Sequence, residues 1–358
     1  MRFKFGDLDT VWVFDSANVA EVAGNPVRYH KQAVDQHSTA GLLNMDEPWH
    51  DACRSAIQPL FDQVLSTLRP AVTQEVAAQI QACRGMPQPV DGVANVADAV
   101  AQTLFFRLFG VDKSKAARLM RAVDLALARA SPTENVSVAE VIKNVAGELI
   151  PFGLLAPTGS LFKLILGMGR QYDPDNDSLS QERFANATVM VLAGVLPAKW
   201  AMALAVWHLL DNGGAQLQVL RDNPDISDRA AAEELLRFDT PTPMSLRHAT
   251  EDHDLGGVNV LRGDRVMVAW ASASRDSARF GRNADSIDFT RGKGPGWAFG
   301  SGGAFECLGK ELVLLSLSAL IQALRANHPA PTLPAGFQPV WAGGPMFRAI
   351  HQLPVTWA

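Results

Sequence analysis

From Ser16 to about Leu236 the apolar residues recur mostly at helical spacing, with no repeat, low-complexity tract or Pro/Ser-rich linker between them. A run of that extent has to pack as a body of helices around a shared core. The chain has 358 residues, longer than the usual domain of about 100–200, but nothing divides it. It reads as mainly α with a smaller β part, in one domain spanning 1–358. The helical body covers 16–240 and 307–327, and the β-rich parts lie near 1–15, 243–272 and 330–358.

Local signals fill in this outline. Arg2–Phe5 and Thr10–Phe14 alternate around Gly6-Asp7, a hairpin pattern. Asp46-Glu47-Pro48 opens a helix carrying His50 and Arg54, four apart and so on one face. Ser180-Gln181-Glu182 begins a long helix that stops at Asn212-Gly213-Gly214, and Asp228 to Phe238 forms a short one. Short strands follow at Ser245–Ala249, Val258–Leu261 and Arg265–Trp270. An irregular Gly/Asp-rich meander occupies 276–306, and the alternation after Pro329 predicts a last hairpin.

Composition excludes several classes of function. The net charge is −5 with mixed signs and no basic block, which argues against nucleic acid as a partner. Cys53, Cys83 and Cys307 are far apart and odd in number. They form neither a disulfide framework nor a zinc site, which points to a reducing cytoplasm. The most apolar stretches, 149–168 and 189–210, carry Pro, Gly, Lys or His interruptions and read as buried helices rather than membrane spans. The N-terminus lacks the apolar core of a signal peptide.

Cys307 sits alone in a glycine-rich loop, Trp297 to Gly309, ahead of the apolar run Leu312 to Leu324. A lone cysteine is more often buried and inert. On a flexible turn at a helix start it can instead serve as an axial thiolate for heme iron, because glycine permits close approach to a flat macrocycle and helix-start amides stabilise the anion.

Several motifs in a shared order resemble a bacterial cytochrome P450 over nearly the whole chain. They are Ala193-Gly194 in the long helix, Glu234-Leu235-Leu236-Arg237, and Arg247-His248-Ala249-Thr250 with Gly263-Asp264-Arg265. Asp288-Phe289-Thr290-Arg291, Phe299-Gly300-x-Gly302 and Cys307-x-Gly309 complete the set. The resemblance implies a P450 fold with a short N-terminal region, a heme b cofactor, and Cys307 as iron ligand. It implies that Phe299, Gly300 and Gly309 shape the thiolate loop and that His50, Arg54 and Arg247 meet the heme propionates. Ala193, Gly194, Leu196 and Pro197 would lie on the distal face, and Glu234 and Arg237 would form a buried structural pair.

The chain also departs from the family pattern. An acid and a threonine usually follow Ala-Gly and relay protons during dioxygen activation; Leu196 and Pro197 stand there. No Ser or Thr occurs from 189 to 226, and no Asp or Glu lies between 183 and 210. Pro197 removes an N–H and crowds the Ala193 carbonyl, so a kink is expected. Lys199 is expected to be solvated or snorkelling. Four residues instead of three separate Gly302 from Cys307, Phe305 replaces the usual basic residue, and no Lys, Arg or His lies from 294 to 309. Ser286 stands where a basic or amide residue often completes the Glu234–Arg237 network.

Three functions remain open on these grounds. One is oxidation of a small hydrophobic molecule by dioxygen, with ferredoxin and reductase as donors. Another is peroxide-dependent oxidation or a redox-neutral rearrangement. The third is a non-catalytic heme- or ligand-binding protein.

Overall fold

The alternating N-terminus pairs as expected in a computed structural model, which describes residues 1–33, 42, 45–47, 49–110, 158–165, 194–300, 303–342 and 347–357. Arg2–Phe5 (β1) and Leu8–Val13 (β2) form an antiparallel hairpin around Gly6. Helix α1 (Ser16–Gly24) follows, capped by the Asp15 carboxylate on the Asn18 amide. Strands β3 (Tyr29–His30), β5 (Ser245–Ala249) and β8 (Arg265–Val268) complete a five-stranded sheet in the order β1-β2-β8-β5-β3. The β2–β8 pair is parallel and the others are antiparallel. Val11, Val13, Val266 and Val268 alternate onto the face that packs on Val19, Val22, Trp270 and Trp297, the period-2 pattern of a half-buried sheet.

The helical part has a separate, larger core. Helix α2 (Trp49–Arg84) begins just after Asp46-Glu47, whose Glu47 carboxylate accepts the Asp51 amide at 3.1 Å. A π-helical turn (Val93–Asp98) leads into α3 (Ala99–Phe109). Helix α4 (Val195–Asp222) is buried all round from Ala198 to Val206, the signature of a helix at the centre of a core. Its regular backbone breaks at Asp211–Gly214, where Asn212, Gly213 and Gly214 take φ of 52°, 72° and 81°. That is the stop expected at Asn-Gly-Gly. The start expected at Ser180 lies outside the described residues. Helix α5 (Asp228–Phe238) carries a Ser227 cap on the Ala230 amide, and α8 (Lys310–Ala326) packs against α2, α4 and α5. Among the described residues no helix is long and apolar enough to cross a membrane.

The remaining strands β4 (Val90–Asp91), β6 (His253–Leu255), β7 (Val258–Val260), β9 (Trp341–Ala342), β10 (Ala349–Ile350) and β11 (Pro354–Val355) are short. The pair β9–β10 is the expected tail hairpin, and β11 returns to β4. The strand expected over Arg265–Trp270 ends at Val268 and gives way to a single turn of helix, α6 (Trp270–Ala273), and the meander opens with another, α7 (Ser277–Phe280).

Gly296, at φ +59°, lies where the meander meets α5. A Cβ there would come within 2.8 Å of Ser274 Oγ and 2.9 Å of Arg237 Cγ. Gly296→Ala should therefore lower stability by about 1–3 kcal/mol, read by thermal unfolding, from a left-handed backbone and an overpacked site.

Candidate active site

The Cys307 loop is held by backbone hydrogen bonds. The Gly300 amide donates to Trp297 O at 3.1 Å, the Glu306 amide to Gly303 O at 2.9 Å, and the Cys307 amide to Phe299 O at 2.9 Å. Gly300 takes φ +74°. A Cβ on Gly303 would sit 2.8 Å from Ala23 O, so the residue just after Gly302 has to be small. Gly303–Glu306 then close one turn, which carries the longer loop to the start of α8. Phe299 is buried in the helical core.

The thiol itself is solvent-accessible, although desolvation is the largest influence on its ionisation. The accessible residue therefore has protein packed close around its sulfur. Burial pushes its pKa up; the Gly309 amide, the Arg54 charge and the Lys310 amide pull it down, and burial wins. The helix-start amides expected to stabilise a thiolate are in place, but they do not suffice alone. A cation at Sγ is what would hold the anion.

Three cationic side chains and the neutral imidazole of His50 converge beside this loop. His50 is 2% exposed, and its Nδ1 makes no hydrogen bond, lying 3.4 Å from Glu47. Arg54 donates to the Glu306 carbonyl and to Gln58 Oε1. Arg247 donates to Ser245 Oγ at 3.2 Å and Leu246 O at 2.8 Å. Lys31, which was not anticipated, places Nζ 3.8 Å from the centre of the Phe305 ring. The same ring lies 4.7 Å from His50 and 5.8 Å from the Arg247 guanidinium. Among the described residues no ion pair involves Lys31 or Arg247. Burial pushes Arg247 down to about 10. Burial, with Lys31 and Arg54 nearby, pushes His50 down to about 3. Burial disfavours the charged forms of Lys31 and Arg247, and an anion placed among these side chains would offset that cost.

On α4, Gly194 and Pro197 retain partial exposure while Val195, Leu196 and Ala198–Val206 are buried. Gly194 and Pro197, three apart, share one face. Leu196 belongs to the core rather than to that face. Ala193 lies outside the described residues, as does the carbonyl that Pro197 would crowd; from Val195 to Leu210 the backbone is regular helix. Lys199 corrects its expectation: it is 7% exposed and pairs with Asp98 at 3.1 Å. The π-helical turn ends at Asp98, which brings that carboxylate to the far side of α4 from Pro197.

Glu234 and Arg237 are buried as expected and bonded through both carboxylate oxygens at 2.7 Å. The network needs no side chain at 286. Ser286 contributes its carbonyl to Arg237 and Arg291, while Arg291 Nε reaches Glu234 at 3.2 Å. Arg291 thus completes the network; it ends the Asp288-Phe289-Thr290-Arg291 motif, so the signal lay in the sequence.

No family model matches the chain. The biotin biosynthesis cytochrome P450 of Bacillus subtilis (strain 168) is 29% identical over 326 residues, 88% of this chain and 79% of its own. The nocardicin C N-oxygenase of Nocardia uniformis subsp. tsuyamanensis is 28% identical over 325 residues, again 88% of this chain and 79% of its own. The structure of P450BioI with an acyl carrier protein bearing hexadec-9Z-enoic acid superposes with a TM-score of 0.84 at 22% identity. That match covers 100% of this chain and 94% of that one. In sequence and in fold the chain is similar to cytochrome P450s over most of its length.

It is a P450-type heme-thiolate enzyme that catalyses an oxidation, and heme iron is its cofactor. The residues present fit the group. The thiol is accessible, the cluster of Lys31, Arg54 and Arg247 suits two propionates, and the buried His50 Nδ1 makes no hydrogen bond beside them.

Proposed function

We propose that Cys307 ligates the heme iron, with His50, Arg54 and Arg247 on the propionates and Gly194 and Pro197 facing the distal side. On this reading the enzyme inserts oxygen from dioxygen into a small hydrophobic molecule of secondary metabolism, in the cytoplasm, with electrons from a ferredoxin and reductase. The supporting observation is the accessible, desolvated Cys307 thiol beside the partly buried side chains of Lys31, Arg54 and Arg247 and the buried His50. Bound heme supplies the dioxygen-activating redox chemistry. The Gly309 and Lys310 amides and Arg54 favour the anionic form of Sγ. Gly194 and Pro197 leave room for an apolar substrate but provide no exchangeable proton, so water or the substrate has to supply it.

Leu196 in the core and Pro197 on the exposed face also favour a second reading, peroxide-dependent oxidation, which needs no donor protein. Supplying an apolar substrate panel with dioxygen and a ferredoxin–reductase pair should give oxidised product. Turnover with hydrogen peroxide alone, and none with dioxygen and reductase, would replace the first reading by the second. Pro197→Thr adds a hydroxyl to the same face and should raise reductase-driven turnover about tenfold or more. An unchanged rate would show that proton supply does not limit the reaction.

A further inference from the structure

Lys31 belongs to no motif, yet three independent constraints aim it at the cation cluster. The pairing Tyr29↔Ala249 and His30↔His248 puts the next residue, Lys31, alongside Arg247. Asp46 then fixes the backbone, its carboxylate oxygens accepting the Lys31 amide at 2.7 Å and the Gln32 amide at 3.2 Å. The ammonium sits 3.8 Å from the Phe305 ring centre and donates to Leu42 O at 3.3 Å. Phe305 is two residues before Cys307, the place of the basic residue that the loop lacks.

We propose that Lys31 is a propionate-binding residue of this P450-type enzyme, replacing from the β3 side the cation missing at position 305. The proposal rests on the heme reading of the site. Lys31 and Arg247 approach one aromatic ring, whose centre lies 4.7 Å from that of His50. Like charges brought together away from water either lose charge or gather around a negative group. Asp46 and Glu47 are the acids near Lys31; Asp46 accepts two backbone amides, and Glu47 accepts the Asp51 amide and lies beside His50, so a ligand with two carboxylates supplies the charge this cluster lacks. Phe305 contributes a face for the two cations, which keeps the ammonium ordered next to the thiolate loop.

The test is heme release from the holoenzyme into excess apomyoglobin, followed at the Soret band, for wild type, Lys31→Met and Lys31→Arg. Lys31→Met should release heme about 10- to 100-fold faster, the effect of losing one charge-assisted hydrogen bond. Lys31→Arg should restore most of the retention. A Met variant that retains heme as wild type does overturns the proposal, and so does an Arg variant that releases heme as fast as Met.

Exchange of the cofactor for heme dimethyl ester separates charge from packing. Without carboxylates the wild-type and Met proteins should release it at equal rates; a difference that persists would assign Lys31 a packing role and end the proposal. Wild-type protein that takes up no heme at all would instead overturn the heme reading of the site.

Discussion

Arg237→Met should leave little folded protein, with thermal unfolding shifted far down or no cooperative transition by circular dichroism. Arg237 is fully buried and donates five hydrogen bonds, two to Glu234 at 2.7 Å and three to the carbonyls of Ser274, Ala284 and Ser286 at 2.8–2.9 Å. Removing the guanidinium strands the Ser274 and Ala284 carbonyls and leaves that of Ser286 to Arg291 alone. It also leaves the Glu234 carboxylate with Arg291 and the Asp288 amide alone. Breaking a buried pair from one side costs about 3–5 kcal/mol, against a total stability of about 5–15 kcal/mol for a native protein. Arg237→Lys has three donors for five acceptors and should be nearly as damaging. Arg291→Ala removes one of the two guanidiniums and should be milder. A Met variant melting within a few degrees of wild type would show that meander and helix hold together without the fork.

The fold was legible wherever signals were local. Ser227 with Asp228, and the strand pattern of Ser245–Ala249, define elements at the bounds read from the sequence, because caps and alternation act within a few residues. What escaped was set by pairing across the chain. Lys31 reaches Arg247 only through the β3–β5 register, over 216 residues of sequence. Lys199 looked solvated because helical angle alone placed it opposite Pro197. Asp98, delivered by a π-helical turn, makes that direction interior. Arg291 was overlooked because position 286 was expected to carry the side chain, whereas Ser286 serves through its backbone. Cys307 was legible as a ligand candidate from its loop. Its accessibility and the desolvation that opposes its ionisation depend on packing from α2 and α8, which no local pattern states.

Cys307→Ala should abolish the red-shifted Soret band of the reduced carbon monoxide complex, since no other described cysteine is accessible to replace its thiolate. Thiol counting gives a readout independent of the spectrum. Cys53 and Cys83 are buried, with pKa values pushed up to about 11. Against a free thiol near 8.5 their thiolate fraction at neutral pH is lower by about 300-fold, before burial blocks the reagent at all. Heme-free protein should therefore show one thiol, the accessible Cys307, reacting well ahead of the other two under native conditions, though its raised pKa slows it relative to a free thiol. Heme-loaded protein should show none, and Cys307→Ala none in either state. A fast thiol that persists after heme loading would mean that Cys307 is not the ligand. A variant that keeps the spectrum would say the same by the other route. Agreement between the two readouts would fix the proximal side of the site, and differences in turnover among distal variants such as Pro197→Thr would then report on the distal face alone.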